Sequence, residues 1–189
     1  MSWDTWRADL AATLAALEVT DEGGAPLAAD EGFARVMARV QALREARRRV
    51  YFVGNGASAS MASHFSADLA KTAGVPTEVF TDPALITATG NDMGYEAAFS
   101  WPLGQRMVAG EVLIAVSSSG NSPNAVNAVR TARELGGYAV TFTAMGADNA
   151  MRRLGHMNFY VPATTYGMAE YAHACLMHYL IDSFTPREA

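Results

Sequence analysis

From residue 49 onward the chain repeats one unit, a short apolar run followed by a segment with helical spacing. The runs fall at 50–53, 78–80, 111–116, 138–142 and 157–161, and the helical patterns at about 57–72, 83–89, 123–135 and 165–183. Runs of this kind predict strands covered on both faces, and such strands alternating with helices make a parallel sheet. The expected fold class is therefore α/β, a three-layer sandwich with a central parallel sheet of about five strands. One of the helices is bounded by its own punctuation, with Pro123 in its first turn and Gly136-Gly137 at its end.

Ahead of the alternation, Trp3, Trp6, Leu10, Leu14 and Leu17, and then Phe33, Val36, Val40 and Leu43, recur at helical spacing. They predict two helices over 3–17 and 30–48, joined by the turn-rich connector TDEGGAP. A length of 189 residues suits one domain spanning 1–189. Within it, 1–48 would be a helical pair at an oligomer interface and 49–185 the α/β core. The tryptophans and leucines of the first helix suit either a neighbour's helix or the chain's own sheet.

Composition removes several classes of function. A formal net charge of −5 argues against a nucleic-acid partner, which calls for a basic patch or stripe. The one basic run, REARRR at 44–49, reads as the solvated end of a helix, with cations near its negative pole. Half of the residues are hydrophobic, which is more apolar surface than a lone monomer needs and points to a homo-oligomer. Cys175 is the single cysteine, so no internal disulfide forms; within its apolar helical stretch it reads as a buried, inert thiol. The opening residues lack a signal-peptide pattern, and no apolar run approaches the roughly 18 residues of a membrane span, so no membrane partner and a cytoplasmic location are expected.

Ligands of open parallel sheets bind beyond the carboxyl ends of the strands, which directs attention to the loops after 53, 80, 116 and 142. The first reads GNGASAS, with glycines for close backbone approach and Ser58 and Ser60 as donors before a helix start. A plain packing turn has the same look. The loop SSSGNS sets Ser117, Ser118, Ser119 and Ser122 around Gly120, directly before the helix that Pro123 opens. Hydroxyls and amides at a helix start, without a lysine, suit a phosphomonoester held by neutral donors and the helix dipole. A serine N-cap would account for only one of the four serines, and the P-loop pattern is absent.

His64 and Asp68 are four apart and share a helical face. In the last helix, MAEYAHACLMHYLID places Glu170, Ala174 and His178 on one stripe, with His173 off it. A histidine and a carboxylate from each of two helices suit a divalent metal, zinc by ligand type, or an acid and base pair. Each of these groups alone reads better as a satisfied surface or core residue, and only together do they point to such a site.

These segments together resemble the sugar isomerase (SIS) domain superfamily and, within it, the phosphoheptose isomerases. The similarity rests on GNGASASMASHFSADL, TGNDMGYEAAFS at 89–100, LIAVSSSGNSPNAVNAV at 113–129 and AEYAHACLMH in the last helix. The resemblance implies a flavodoxin-like SIS fold, zinc, a homotetramer with sites between subunits, and conversion of sedoheptulose 7-phosphate to a heptose 7-phosphate through an enediol. By position it implies that Ser117, Ser118, Ser119 and Ser122 hold the phosphate with Asn55, Gly56 and Ala57, and that Asn91 and Asp92 contact sugar hydroxyls. It further implies His64, Asp68, Glu170 and His178 as metal ligands, with Asp68 or Glu170 as the base and His178 as the acid. The family carries Glu where this chain has Asp68, and Gln where it has Glu170. Those two departures leave open an isomerase for another ketose phosphate, and a non-catalytic SIS regulator that binds a sugar phosphate or a protein remains the alternative.

Overall fold

The computed structural model describes residues 1–185; residues 186–189 of the expected single domain lie outside the described residues. Five strands run parallel as the apolar runs predict: β3 (Val50–Gly54), β4 (Thr77–Val79), β5 (Val112–Ser117), β6 (Tyr138–Ala144) and β7 (Met157–Val161). Their order across the sheet is β4-β3-β5-β6-β7, the doubly wound order of flavodoxin-like folds. The register runs from Val50 opposite Val112 to Gly54 opposite Val116 between β3 and β5.

The sheet has seven strands, two more than expected. The connector folds back as a hairpin of β1 (Glu18–Asp21) and β2 (Pro26–Leu27), and β1 joins β7 antiparallel. Asp21 drives the turn, its Oδ1 accepting from the N–H groups of Gly23 and Ala25 at 2.9 Å each. Only Val19 and Thr20 of this hairpin are buried, so its strands carry too little apolar alternation to stand out from a loop.

Helices cover both faces of the sheet. On one lie α2 (Ala29–Glu45), α3 (Ala57–Ala73) and α8 (Tyr166–Asp182), packing Val36, Phe65 and Ala172 against Phe52, Ile114 and Phe142. On the other lie α5 (Ser100–Arg106), α6 (Pro123–Glu134) and α7 (Ala150–Leu154), packing Leu103, Val129 and Met151 against Tyr51, Leu113 and Ala139. The predicted segment at 83–89 is the longer α4 (Pro83–Met93), started by Asp82, whose carboxylate accepts from the Leu85 N–H. The first helix, α1 (Trp3–Ala15), packs on α8. Its Trp6, Leu10 and Leu14, with Leu17 beyond it, cover their own core in part, while Trp3 stays 70% exposed and stacks on Trp6.

Two side chains of α8 depart from or refine the reading of that helix. Cys175 is exposed rather than buried, because it falls on the outward stripe with Tyr171 and Tyr179. His173 is fully buried, edge-on to Phe142, and neither ring nitrogen has a hydrogen-bond partner. Burial disfavours the imidazolium and pushes its pKa down to about 4, against a smaller opposing effect of the Thr143 backbone.

Gly54 ends β3 where a β-carbon would lie 2.6 Å from the Ser58 carbonyl oxygen. Replacement Gly54→Ala must push the first turn of α3 away, and a loss of about 1–3 kcal/mol is expected in denaturant unfolding. For His173 the depressed folded pKa means that the unfolded chain takes up a proton first. Stability linked to this group is thus complete above the unfolded pKa near 6.5 and falls as pH drops towards about 4. The expected size is about 3 kcal/mol, read as the part of the acid-side stability loss that His173→Leu abolishes.

Candidate active site

The strand order reverses between β3 and β5, and the helices that follow them, α3 and α6, lie on opposite faces of the sheet. Their N-terminal ends therefore meet above the carboxyl ends of these two strands. The cavity there, about 280 Å³, is lined by Asn55, Gly56, Ala57 and Ser58 from the first loop and by Ser117, Ser118, Ser119 and Ser122 from the second. All seven residues expected around a phosphate share this one space, with Ser58 added.

Local geometry leaves donors free at this point. Gly56 is the N-cap of α3 with φ 55° and ψ −124°, a conformation suited to glycine, and offers no side chain to the first turn. Ser122 is the N-cap of α6, yet its hydroxyl makes no capping bond. The Ser58 and Ala59 N–H groups donate to the Asn55 and Gly56 carbonyls and the Ala125 N–H to Asn124 Oδ1, so the two helix dipoles and the Ser118 and Ser122 hydroxyls are what this space offers, a setting suited to an anion. The second loop is held in shape by its own hydroxyls and by β6: the Gly120 N–H donates to Ser117 Oγ at 3.2 Å, the Asn121 N–H to Ser119 Oγ at 3.2 Å, and the Ala144 N–H to the Ser118 carbonyl at 3.1 Å. Gly120, at φ 63°, passes so close to Asn149 that a β-carbon would overlap its amide.

Beside the cavity Asn55 and Asn124 form a reciprocal amide pair, Asn55 Nδ2 to Asn124 Oδ1 at 2.8 Å and Asn124 Nδ2 to Asn55 Oδ1 at 2.9 Å. Tyr95, in the 3-10 turn Tyr95–Ala97, donates its hydroxyl to Asn55 Oδ1 at 3.0 Å. Motif reading passed over Asn124 and Tyr95, although both fall inside the segments quoted for the resemblance.

The second cluster lies further along α3 and α8, which pack side by side. His64 Nε2 sits 3.2 Å from Asp68 Oδ2, and His178 brings its ring to 5.7 Å from that of His64, with Phe65 against it at 4.8 Å. One donor atom from each of His64, Asp68 and His178 lies within 4.8 Å of the others. Lys71 approaches the second Asp68 oxygen at 3.6 Å. Ligands about 2.0–2.2 Å from a tetrahedral zinc ion stand roughly 3.4 Å apart, so the His64 and Asp68 spacing fits such an ion as it stands. Two imidazoles and a carboxylate are a three-ligand set that leaves a fourth position open.

Glu170 is not in this group. It lines the serine cavity together with Tyr166, four residues before it on the same face of α8. Tyr166 was not foreseen, and its spacing to Glu170 is the signal that would have marked it. Asn91 and Asp92, expected at the sugar hydroxyls, lie exposed at the end of α4, hydrogen-bonded to each other at 2.8 Å. They do not line the serine cavity of the same chain.

Comparison with known proteins gives the family of this fold. The SIS domain family model matches residues 28–144. The phosphoheptose isomerase of Aliarcobacter butzleri is 34% identical over 137 residues, 69% of this chain and 71% of that protein. The one from Bradyrhizobium sp. strain ORS 278 is 36% identical over 140 residues, 71% of this chain and 69% of that protein. The solved phosphoheptose isomerase of Neisseria gonorrhoeae superposes with a TM-score of 0.74 at 26% identity, covering 82% of this chain and 86% of that one. With the switch-point cavity, the serine loop and the paired helices already in place, the chain belongs to the SIS domain family and, within it, to the phosphoheptose isomerases.

Proposed function

We propose that the protein interconverts sedoheptulose 7-phosphate and the corresponding aldose, a heptose 7-phosphate. The observation that carries this reading is the placement of two unlike sites on the same pair of helices. His64 lies seven positions after Ala57, at the cradle, and His178 eight positions after Glu170. At 1.5 Å per residue these are separations of about 10–12 Å, which an extended sugar chain of several carbons can span from its phosphate to its carbonyl end. Membership in the phosphoheptose isomerases supports the same substrate class.

In this reading the serines, Asn55, Gly56 and Ala57 grip the phosphate and fix the register of the carbon chain. Tyr166 and Glu170 line the same cavity, where the hydroxyls next to the phosphate would pass. Isomerisation needs a proton removed from the carbon beside the carbonyl and a proton supplied at the carbonyl oxygen. Asp68 has two carboxylate oxygens, one beside His64 and one beside Lys71. One can stay with the imidazole or an ion while the other accepts the carbon-bound proton. His178, on the facing helix, is the group that gives and takes a proton at the oxygen. A zinc ion held by His64, Asp68 and His178 would supply Lewis acidity toward that oxygen.

His64 is 55% exposed in the single chain, and Trp3, Tyr166, Tyr171 and Tyr179 are exposed on or near α8. A homotetramer using α1 and α8 would cover these apolar groups, exclude water from the site and allow Asn91 and Asp92 of one copy to approach the sugar in another. The single domain with an interfacial N-terminal helix and a cytoplasmic location belong to the same reading; among the described residues no helix is long and apolar enough to cross a membrane.

Incubated with sedoheptulose 7-phosphate, the protein is expected to form aldose, with His178→Gln and Asp68→Asn lowering kcat by about 10²–10⁴. Absence of turnover on any ketose phosphate of five to eight carbons would overturn the assignment and favour a binding regulator. Metal analysis of protein purified without added zinc should find a bound divalent ion, and His64→Ala should release it while leaving the thermal transition of the chelator-treated protein unchanged.

A further inference from the structure

We infer that Asn124 and Tyr95 are positioning residues that set which end of the Asn55 amide faces the phosphate cradle, and so make Asn55 a donor to a phosphoryl oxygen. The inference rests on the proposal that phosphate occupies the serine cavity. An asparagine side chain presents an acceptor and two donors from nearly the same shape, so nothing in Asn55 itself decides its polarity. Its neighbours do.

The chain of decisions starts at the backbone. The Ala125 N–H, near the start of α6, donates to Asn124 Oδ1 at 2.9 Å. A backbone N–H can only donate, so this atom of Asn124 must be the oxygen, and Asn124, 2% exposed, has no room to be indifferent. Its Nδ2 is then turned toward Asn55, where it needs an acceptor, and finds Oδ1 at 2.9 Å. The Tyr95 hydroxyl donates to the same oxygen. Asn55 Oδ1 is thus held by two donors, and Nδ2 is left to face Asn124 Oδ1 with one of its N–H groups. Its second N–H has no partner among the described residues, and Asn55 lines the serine cavity.

Reversing the Asn55 amide would set donor against donor and oxygen against oxygen across the pair. Asn124 cannot reverse in response without abandoning the Ala125 N–H. The first loop therefore presents a fixed N–H, and that fixity traces to the start of the helix that carries the second loop. Tyr95 ties the 3-10 turn into the same arrangement, and the Asn127 amide, donating to the Glu96 carbonyl at 3.2 Å, holds that turn against α6.

The test uses inorganic phosphate as the probe, titrated calorimetrically into the full chain, with KM and kcat for sedoheptulose 7-phosphate measured in parallel. Tyr95→Phe removes one hydroxyl from a 59% exposed residue and should weaken phosphate binding about fivefold, as loss of one hydrogen bond does. The change should fall on KM while kcat and the melting temperature hold. Asn124→Asp keeps the oxygen that the Ala125 N–H needs but sets a second, charged oxygen against Asn55 Oδ1, and should weaken binding about tenfold or more. Ser122→Ala serves as reference, since the Ser122 hydroxyl caps nothing and its loss bears on the ligand alone. If Ser122→Ala weakens phosphate binding and Tyr95→Phe does not, the positioning role is wrong and the cradle stands. If neither changes it, phosphate binds elsewhere and both readings fall. Should Asn124→Asp fail to fold, the Tyr95→Phe result decides.

Discussion

The pairing of β3 with β5 is the contact on which the site depends. With Gly54 set opposite Val116, the two strands end level with each other, and the loops that leave them start side by side. The chain after β3 turns to one face of the sheet and the chain after β5 to the other, so nothing fills the space between their exits. A slip by one residue would turn every side chain of a strand to the opposite face. The apolar fit of Phe52 and Ile114 on one face and Tyr51 and Leu113 on the other therefore also fixes where Asn55 and Ser117 arrive.

The proposed anion site in that crevice has no cation among the described residues that line it. The chain carries a net charge of −5, and among the described residues no lysine or arginine lines the serine cavity. If the proposed phosphoryl group binds there, its attraction comes from hydroxyls, oriented amides and two helix starts at close range rather than from the field of the whole molecule. Glu170 lies in the same cavity, which favours its contact with hydroxyls over contact with the phosphate. The placement of α8 beside α3 then brings His178 to His64 and Asp68, and the single packed pair of helices carries both ends of the site.

Much of this was legible in the amino-acid sequence. The five apolar runs are long enough and buried enough to announce themselves, and the serine loop is dense enough that a cap could not explain it. The hairpin was not legible because its two strands bury only Val19 and Thr20, although Asp21-Glu22-Gly23-Gly24 was a turn signal. Cys175 was misplaced because its neighbours in sequence are apolar while its neighbours on the helix face are exposed tyrosines. Glu170 shares a stripe with His178, yet two helical turns separate them along the axis, and only the packing of α8 decides which site each one joins. Asn124 was invisible for a different reason: its role comes from a backbone N–H and a partner 69 residues away.

The hairpin that the sequence concealed has a consequence for how copies of this chain can meet. It places β2, two residues long and containing Pro26, at one border of the sheet, while β4, three residues long, forms the other. A border strand needs a run of free N–H and C=O groups to recruit a foreign strand, and a proline or a strand this short denies it. Growth of the sheet from one molecule into the next is thus disfavoured at both described borders, which leaves the helical faces as the surfaces open to a neighbour.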